Sequence, residues 1–434
     1  MAASIIFLIL LLQQGMCLLP PKFQWKVIDY KWESNAAKQK AIQAGDYIPE
    51  NNMPTGVARW RDKLFITIPR WKDGVPSSLN YVSLNGTQQE ALNPYPNWAE
   101  AYVPSKTCCL HSKRTVVSTF RVFIDGYDRL WVVDNGVLDM TDEAKRIAPA
   151  SLMIFDLNTD ELILRHEFSN DVVQDSSVLT SVVADISSKG CSCDNSYAYI
   201  ADMGSNALIV YSLKNDEAWR IDHDSLNFDP EDGDDGGMLS IALGPVKGDG
   251  SCDLYMQLPS STNLYKISTK LLRDKNIPKD QIKNGLQVVG DRGPLSQGTA
   301  CDFDPATKVL FNTQLSRNGI GCWHVDKPFN EENTPVIISD CNMLEFPNDI
   351  KVDHDGDIWI LSDRQSKFLY GSMDFTQMNF KVLTAPVADV IMDTPCEKKS
   401  GFNKAFGFMK RPKSGRSTTS SKNSSARSDK RSKN

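Results

Sequence analysis

A chain of 434 residues, 41% hydrophobic and 24% charged, has the composition of an ordinary globular protein, which excludes disorder as its bulk state. The net charge of −6 is unevenly spread: residues 397 to 434 hold twelve Lys or Arg against two acids, or +10, so the first 396 residues carry −16. An acidic body with no helix patterned to read a groove excludes nucleic acid as a partner.

Residues 1 to 17, MAASIIFLILLLQQGMC, place an apolar core from Ile5 to Leu12 ahead of small residues. That is the pattern of a cleaved leader, although the charged stretch that usually precedes the core is missing. Eight apolar residues fall short of the roughly 20 that cross a bilayer, and no later run is long enough. A secreted protein with no membrane span is the expectation.

FQWKVIDYKW at 23–32 reads as a strand, and 36–45 as a helical turn. From there a unit recurs: strand, tight turn, strand with an aromatic near its start, then two more strands. The first copy is GVARW, KLFITIP and LNYVSL, with a vague fourth strand. The second is FRVFIDGYDRLWVVDNG, turning at Asp125-Gly126, with ASLMIFDL and LILRHEF. SVVADI, YAYIADM, ALIVYSL and AWRIDH make the third. MLSIALG, DLYMQLP, NLYKIS and LQVVGD make the fourth, and 270–275 beside it reads as a helical turn. TACDFDP, VLFNTQL, GIGCWHV and PVIISD make the fifth. Residues 349 to 385, with Asp355-Gly356 as a hairpin signal, hold four short apolar runs and read as the sixth.

The aromatics of the second strands, Phe65, Trp131, Tyr199, Tyr255, Phe311 and Trp359, recur every 48 to 68 residues. A four-stranded sheet buries little alone, whereas radial repetition lets each sheet bury both faces on its neighbours. The predicted fold is all-β, a six-bladed β-propeller over 18–396. The N-terminal strand completes the last blade, and the low-apolar basic segment 397–434 is a disordered tail.

In such a ring the first strand of each blade lines the channel, so the residues just before those strands gather at one mouth. Thr55, Arg121, Thr180, Gln297, Phe346, Asn348 and Asp349 are the ligand-binding candidates: a flat molecule against Phe346, with Asn348 and Asp349 engaging an amine or hydroxyl. No cofactor or metal is expected. DHDGD at 353–357 departs from the calcium-loop order, and the acids of 229–237 read as a solvated loop. Cys191 and Cys193 are too close in sequence for a zinc pair. No serine-hydrolase elbow, phosphate-binding loop or zinc-protease helix occurs. Asn85-Gly-Thr and Asn423-Ser-Ser are glycosylation acceptors in a secreted chain.

IPENNMPTGVARWRDKLFITIPRWKDGVPSSLNYVSL, DRLWVVDNG, AYIADMGSNALIVYSL, LYMQLPSSTNLYKIS, GIGCWH and DIWILSDR, in order across about residues 23 to 396, resemble the insect yellow and major royal jelly protein family, and the yellow branch most. The resemblance implies a secreted six-bladed propeller connected with cuticle pigmentation and melanin. It also implies disulfides: Cys109 (or Cys108) with Cys193, and Cys322 with Cys396. The extra Cys191, Cys252, Cys301 and Cys341 depart from that pattern, and Cys301 reads as a buried thiol.

The function expected is binding of a small catechol or indole in the channel. Its catalytic extension is dopachrome conversion, with Asp349 as base and Arg121, Thr180 and Asn348 as donors. The alternatives are a non-catalytic carrier of biogenic amines, with Phe346 stacking and Asp349 as counter-ion, and a structural or signalling component whose basic tail holds anionic extracellular matrix. A calcium-dependent lactonase type ranks last, because only Asp349, Asn348 and Gln297 stand in the channel as ligands.

Overall fold

The computed structural model describes residues 19–110, 112–186, 195–222 and 237–398. Six four-stranded antiparallel sheets form the blades of a propeller, with an added two-stranded hairpin (Val137–Leu138 with Lys145–Arg146) in the second. The inner strands are Gly56–Trp60, Val122–Ile124, Leu179–Asp185, Ser240–Leu243, Cys301–Asp304 and Phe346–Val352. Each packs beside the next, and the sixth packs beside the first. The ring is therefore closed. We call the end where these strands begin the upper mouth, and the end where they finish the lower mouth. The expected leader lies outside the described residues, as does the expected tail beyond Lys398.

The periodic aromatics explain why four strands suffice. Phe65, Trp131, Tyr199, Tyr255, Phe311 and Trp359 are all at most 4% exposed, and each buries on the order of 150–250 Å² between blades. Three of the four that carry a polar atom are held by the aspartate at the end of the inner strand. Asp125 Oδ2 accepts from Trp131 Nε1 (2.8 Å), Asp353 Oδ2 from Trp359 Nε1 (2.8 Å), and Asp185 Oδ2 from the Tyr199 hydroxyl (3.2 Å). Asp353 Oδ1 also accepts from Asp355 N and Asp357 N, and Gly356 completes the turn at φ 84°. The acids of DHDGD thus hold a hairpin together.

The sixth blade differs from the sequence expectation. Of the four runs in 349–385, the third is the helix Gln365–Tyr370, and the strands are Phe346–Val352, Asp357–Asp363 and Phe380–Pro386. Phe368, Leu369 and Tyr370 are consecutive and do not alternate; only Phe368 is buried, beside Trp71. The fourth strand is Pro21–Trp25, antiparallel to the third, with Phe23 opposite Val382 and Trp25 opposite Phe380. The two ends of the ring therefore share one sheet, as FQWKVIDYKW led us to expect.

A helix stands at Asn35–Ala44, capped by the Ser34 hydroxyl and stopped by Gly45 at φ 77°. Thr269–Leu272 is helical within the expected turn, while Trp98–Ala101, Lys279–Gly285 and Val387–Ile391 are further short helices the sequence reading missed. Among the described residues no helix is long and apolar enough to cross a membrane.

A disulfide joins Cys322, on the third strand of the fifth blade, to Cys396 after the sixth, with Cα atoms 6.2 Å apart. Cys193 and Cys191 lie outside the described residues, so the pairing expected for Cys109 remains an expectation. Cys301 is a buried thiol, pushed up to about 11 by burial.

Candidate functional site

Of the residues at or ahead of the start of the inner strands, Arg121, Asn348 and Asp349 contact one another across the ring, while Thr55 and Thr180 bond to backbone of neighbouring blades. Arg121, 3% exposed, reaches across the axis from the second blade. Its Nη1 donates to Ser181 Oγ (3.2 Å), Leu239 O (3.3 Å) and Thr299 O (3.1 Å), on or just before the third, fourth and fifth inner strands. Its Nη2 donates to Asn348 O (2.7 Å) and Oδ1 (3.2 Å) on the sixth. Its Nε stands 3.4 Å from Asp349 Oδ1, whose other oxygen accepts from Val57 N (3.0 Å) on the first blade. One guanidinium and one carboxylate therefore bind six blades to a common centre. The planar five-donor fork of arginine suits this position in a way that a single ammonium does not.

Close approach at the ring sets a further demand. A Cβ on Gly56 would lie 2.6 Å from Phe120 O, where the first two blades meet, so only glycine lets these strands come together.

Asp349 is fully buried, and Lys351 Nζ stands 3.8 Å from the same oxygen that faces Arg121. Asp349 is thus flanked by two cations. Thr55 and Thr180 are also buried, and their hydroxyls donate to Phe120 O (2.9 Å) and Leu239 O (3.0 Å). Phe346 and Gln297 are half-buried at the mouth, so of the seven candidates these two present the most surface.

Two groups escaped the sequence reading. Asp363, at the end of the strand paired with Phe346–Val352, is 1% exposed and accepts from Asn348 Nδ2 (2.6 Å) and Gln365 N (2.9 Å). Burial pushes its carboxyl up to about 7, against the Asn348 hydrogen bond and the Arg121 charge. Gln257, fully buried opposite Ser240, has neither amide atom hydrogen-bonded among the described residues, and Gln297 Oε1 and Thr119 Oγ1 share that state. Buried polar groups are nearly always paired, so these enclosed atoms, on the second, fourth and fifth blades, are places for water or another outside partner. Both residues sit inside ordinary strand motifs, DIWILSDR and DLYMQLP, and nothing local distinguishes them.

The Asp363 shift makes a pH prediction. The folded carboxyl keeps its proton to about 7 against an ordinary 3.8, so between these values the native state binds more protons than the unfolded one. Its contribution to stability is complete below about pH 4 and is lost as pH rises through about 7. Denaturant midpoints should fall across this window less steeply in Asp363→Asn than in the parent; parallel profiles would refute the assignment.

Among the described residues no three histidine, cysteine, aspartate or glutamate side chains gather to hold a metal. Asn85 is exposed in the turn after Leu79–Ser83, open to a glycan; Asn423 lies outside the described residues.

The family described as Major royal jelly protein matches residues 117–396. The chain is 32% identical to Protein yellow of Drosophila yakuba and of Drosophila melanogaster, in each case over 403 residues covering 90% of this chain and 72% of the relative. Among solved structures, a calcium-binding protein, regucalcin, from Agrobacterium tumefaciens aligns over 77% of this chain and 90% of its own at 10% identity and a TM-score of 0.45, a likeness that carries no functional argument.

Proposed function

The chain belongs to the yellow and major royal jelly protein family, and from that premise we propose that it is a secreted pigmentation protein whose upper mouth binds a small catechol or indole. The observation carrying this reading is the unpaired amide and hydroxyl set of Gln257, Gln297 and Thr119 on the mouth that also bears the half-buried ring of Phe346. A flat aromatic with hydroxyl or amine substituents supplies what both lack. Calorimetry with dopamine and serotonin tests it: binding is expected, weakened about 5- to 10-fold in Phe346→Ala, since a stacked ring or cation–π contact contributes about 1 kcal/mol. No heat with either ligand would end the proposal.

A second reading, conversion of dopachrome, draws support from Asp363. A carboxyl near 7 is matched to proton transfer at neutral pH, whereas Asp349, the base first expected, is enclosed between Arg121 and Lys351. The α-proton of the substrate would pass to Asp363, the C–H electron pair moving into the quinone ring as a quinone oxygen takes a proton from solvent. Dopachrome decay no faster than in buffer would leave only the carrier, and an unchanged rate in Asp363→Asn would remove the base. Secretion, the Asn85 glycan, the Cys109–Cys193 bridge and matrix binding by residues 397–434 belong to the same proposal.

A further inference from the structure

At the lower mouth all six blades line a cavity of about 440 Å³, within the range that takes small organic ligands. The inner strands contribute apolar wall, including Ala58, Ile124, Ala184 and Leu243, and Val246 stands at the rim 61% exposed. Most charged groups of the lining are committed to neighbours. The Arg59 guanidinium pairs with Asp353 (3.1 Å) and Asp355, Asp185 accepts from Arg273 Nη2 (2.6 Å), and Asp304 Oδ1 caps its own turn at Ala306 N (3.0 Å).

Lys351 is different. It lies two residues beyond Asp349 on the sixth inner strand, hence on the same axial face, about 7 Å further along the channel. It is 9% exposed, and its Nζ makes no hydrogen bond to any described residue. The one carboxylate within 4 Å, Asp349 at 3.8 Å, already faces Arg121. Asp302, nearby in the lining, accepts at Oδ2 from Val352 N (2.7 Å), and burial raises its carboxyl toward the neutral form. An ammonium on a cavity wall that takes no hydrogen-bond acceptor from the chain is open to one that enters the cavity.

We propose that the lower cavity binds a small amphipathic organic anion, its carboxylate on Lys351 Nζ and its apolar body against the inner-strand walls. Arg121 and its partners fill the axis between this cavity and the upper mouth, so the proposal is independent of the function proposed there.

The test is calorimetry on the full chain with indole-3-acetate and with indole-3-ethanol, which keeps the ring and lacks the charge. The acetate is expected to bind at least tenfold more tightly. Lys351→Met should abolish that preference, and Val246→Asp, at an exposed position that cannot disturb the core, should weaken the acetate about threefold at low salt and less at high salt. Equal affinities for the two probes, no binding of the acetate, or affinities unchanged in both variants would overturn the proposal. So would loss of acetate binding in Phe346→Ala, which would put the anion at the upper mouth.

Discussion

Arg121→Met is expected to destabilise the protein by about 3–5 kcal/mol, the usual cost of leaving one member of a buried ion pair uncompensated. Asp349 would keep its bond from Val57 N and face Lys351 alone at 3.8 Å, while the carbonyls of Leu239, Thr299 and Asn348 would each lose a donor. Arg121→Lys should recover little, because three donors on one nitrogen cannot reach four blades at once. Urea unfolding followed by tryptophan fluorescence measures this: both variants should show midpoints well below the parent, and a parental midpoint in Arg121→Met would mean that the central knot contributes nothing. Removing Asp349 as well, in the Arg121→Met, Asp349→Asn double variant, should recover part of the loss, since the stranded charge is then gone.

Breaking the Cys322–Cys396 bridge is expected to cost about 4 kcal/mol, the chain-entropy value for a loop of 74 residues. The bridge ties the fifth blade to the segment following the sixth, so it fastens the end of the blade in which the N-terminal strand closes the ring. Thermal melts with and without reductant should differ clearly more for the parent than for the Cys322→Ser, Cys396→Ser variant, which keeps only the proposed Cys109–Cys193 bridge. If reductant shifts both proteins equally, the stabilising thiol chemistry lies elsewhere in the chain.

Blade number and strand order were readable from residues alone because each sheet must bury an aromatic, and six such residues recur at similar intervals. The sixth blade misled for a physical reason: Phe368, Leu369 and Tyr370 are apolar enough for a strand, but the outer place was already taken by Pro21–Trp25, and the segment coils into a helix with only Phe368 buried. At the site, position was legible and role was not. Arg121, Asn348 and Asp349 meet at the centre of the ring, yet the partners that join them across blades come from residues 60 to 292 positions away, and no local pattern says that they satisfy one another. Asp363 and Gln257 were hidden because a buried carboxyl or amide at the end of a strand looks, in sequence, like any solvated one.

The shared sixth sheet also fixes an order of events during biosynthesis. Pro21–Trp25 leaves the ribosome among the first ordered segments, but its partner Phe380–Pro386 follows more than 350 residues later. At translation rates of about 5–20 residues per second, the N-terminal strand waits roughly 20 to 70 s for its sheet partner, with first-blade contacts such as Trp25 Nε1 to Glu90 O (2.8 Å) within reach well before. Nascent chains of this protein therefore hold an open ring until Phe380–Pro386 is made, and synthesis, not folding speed, sets the moment at which the circle can shut.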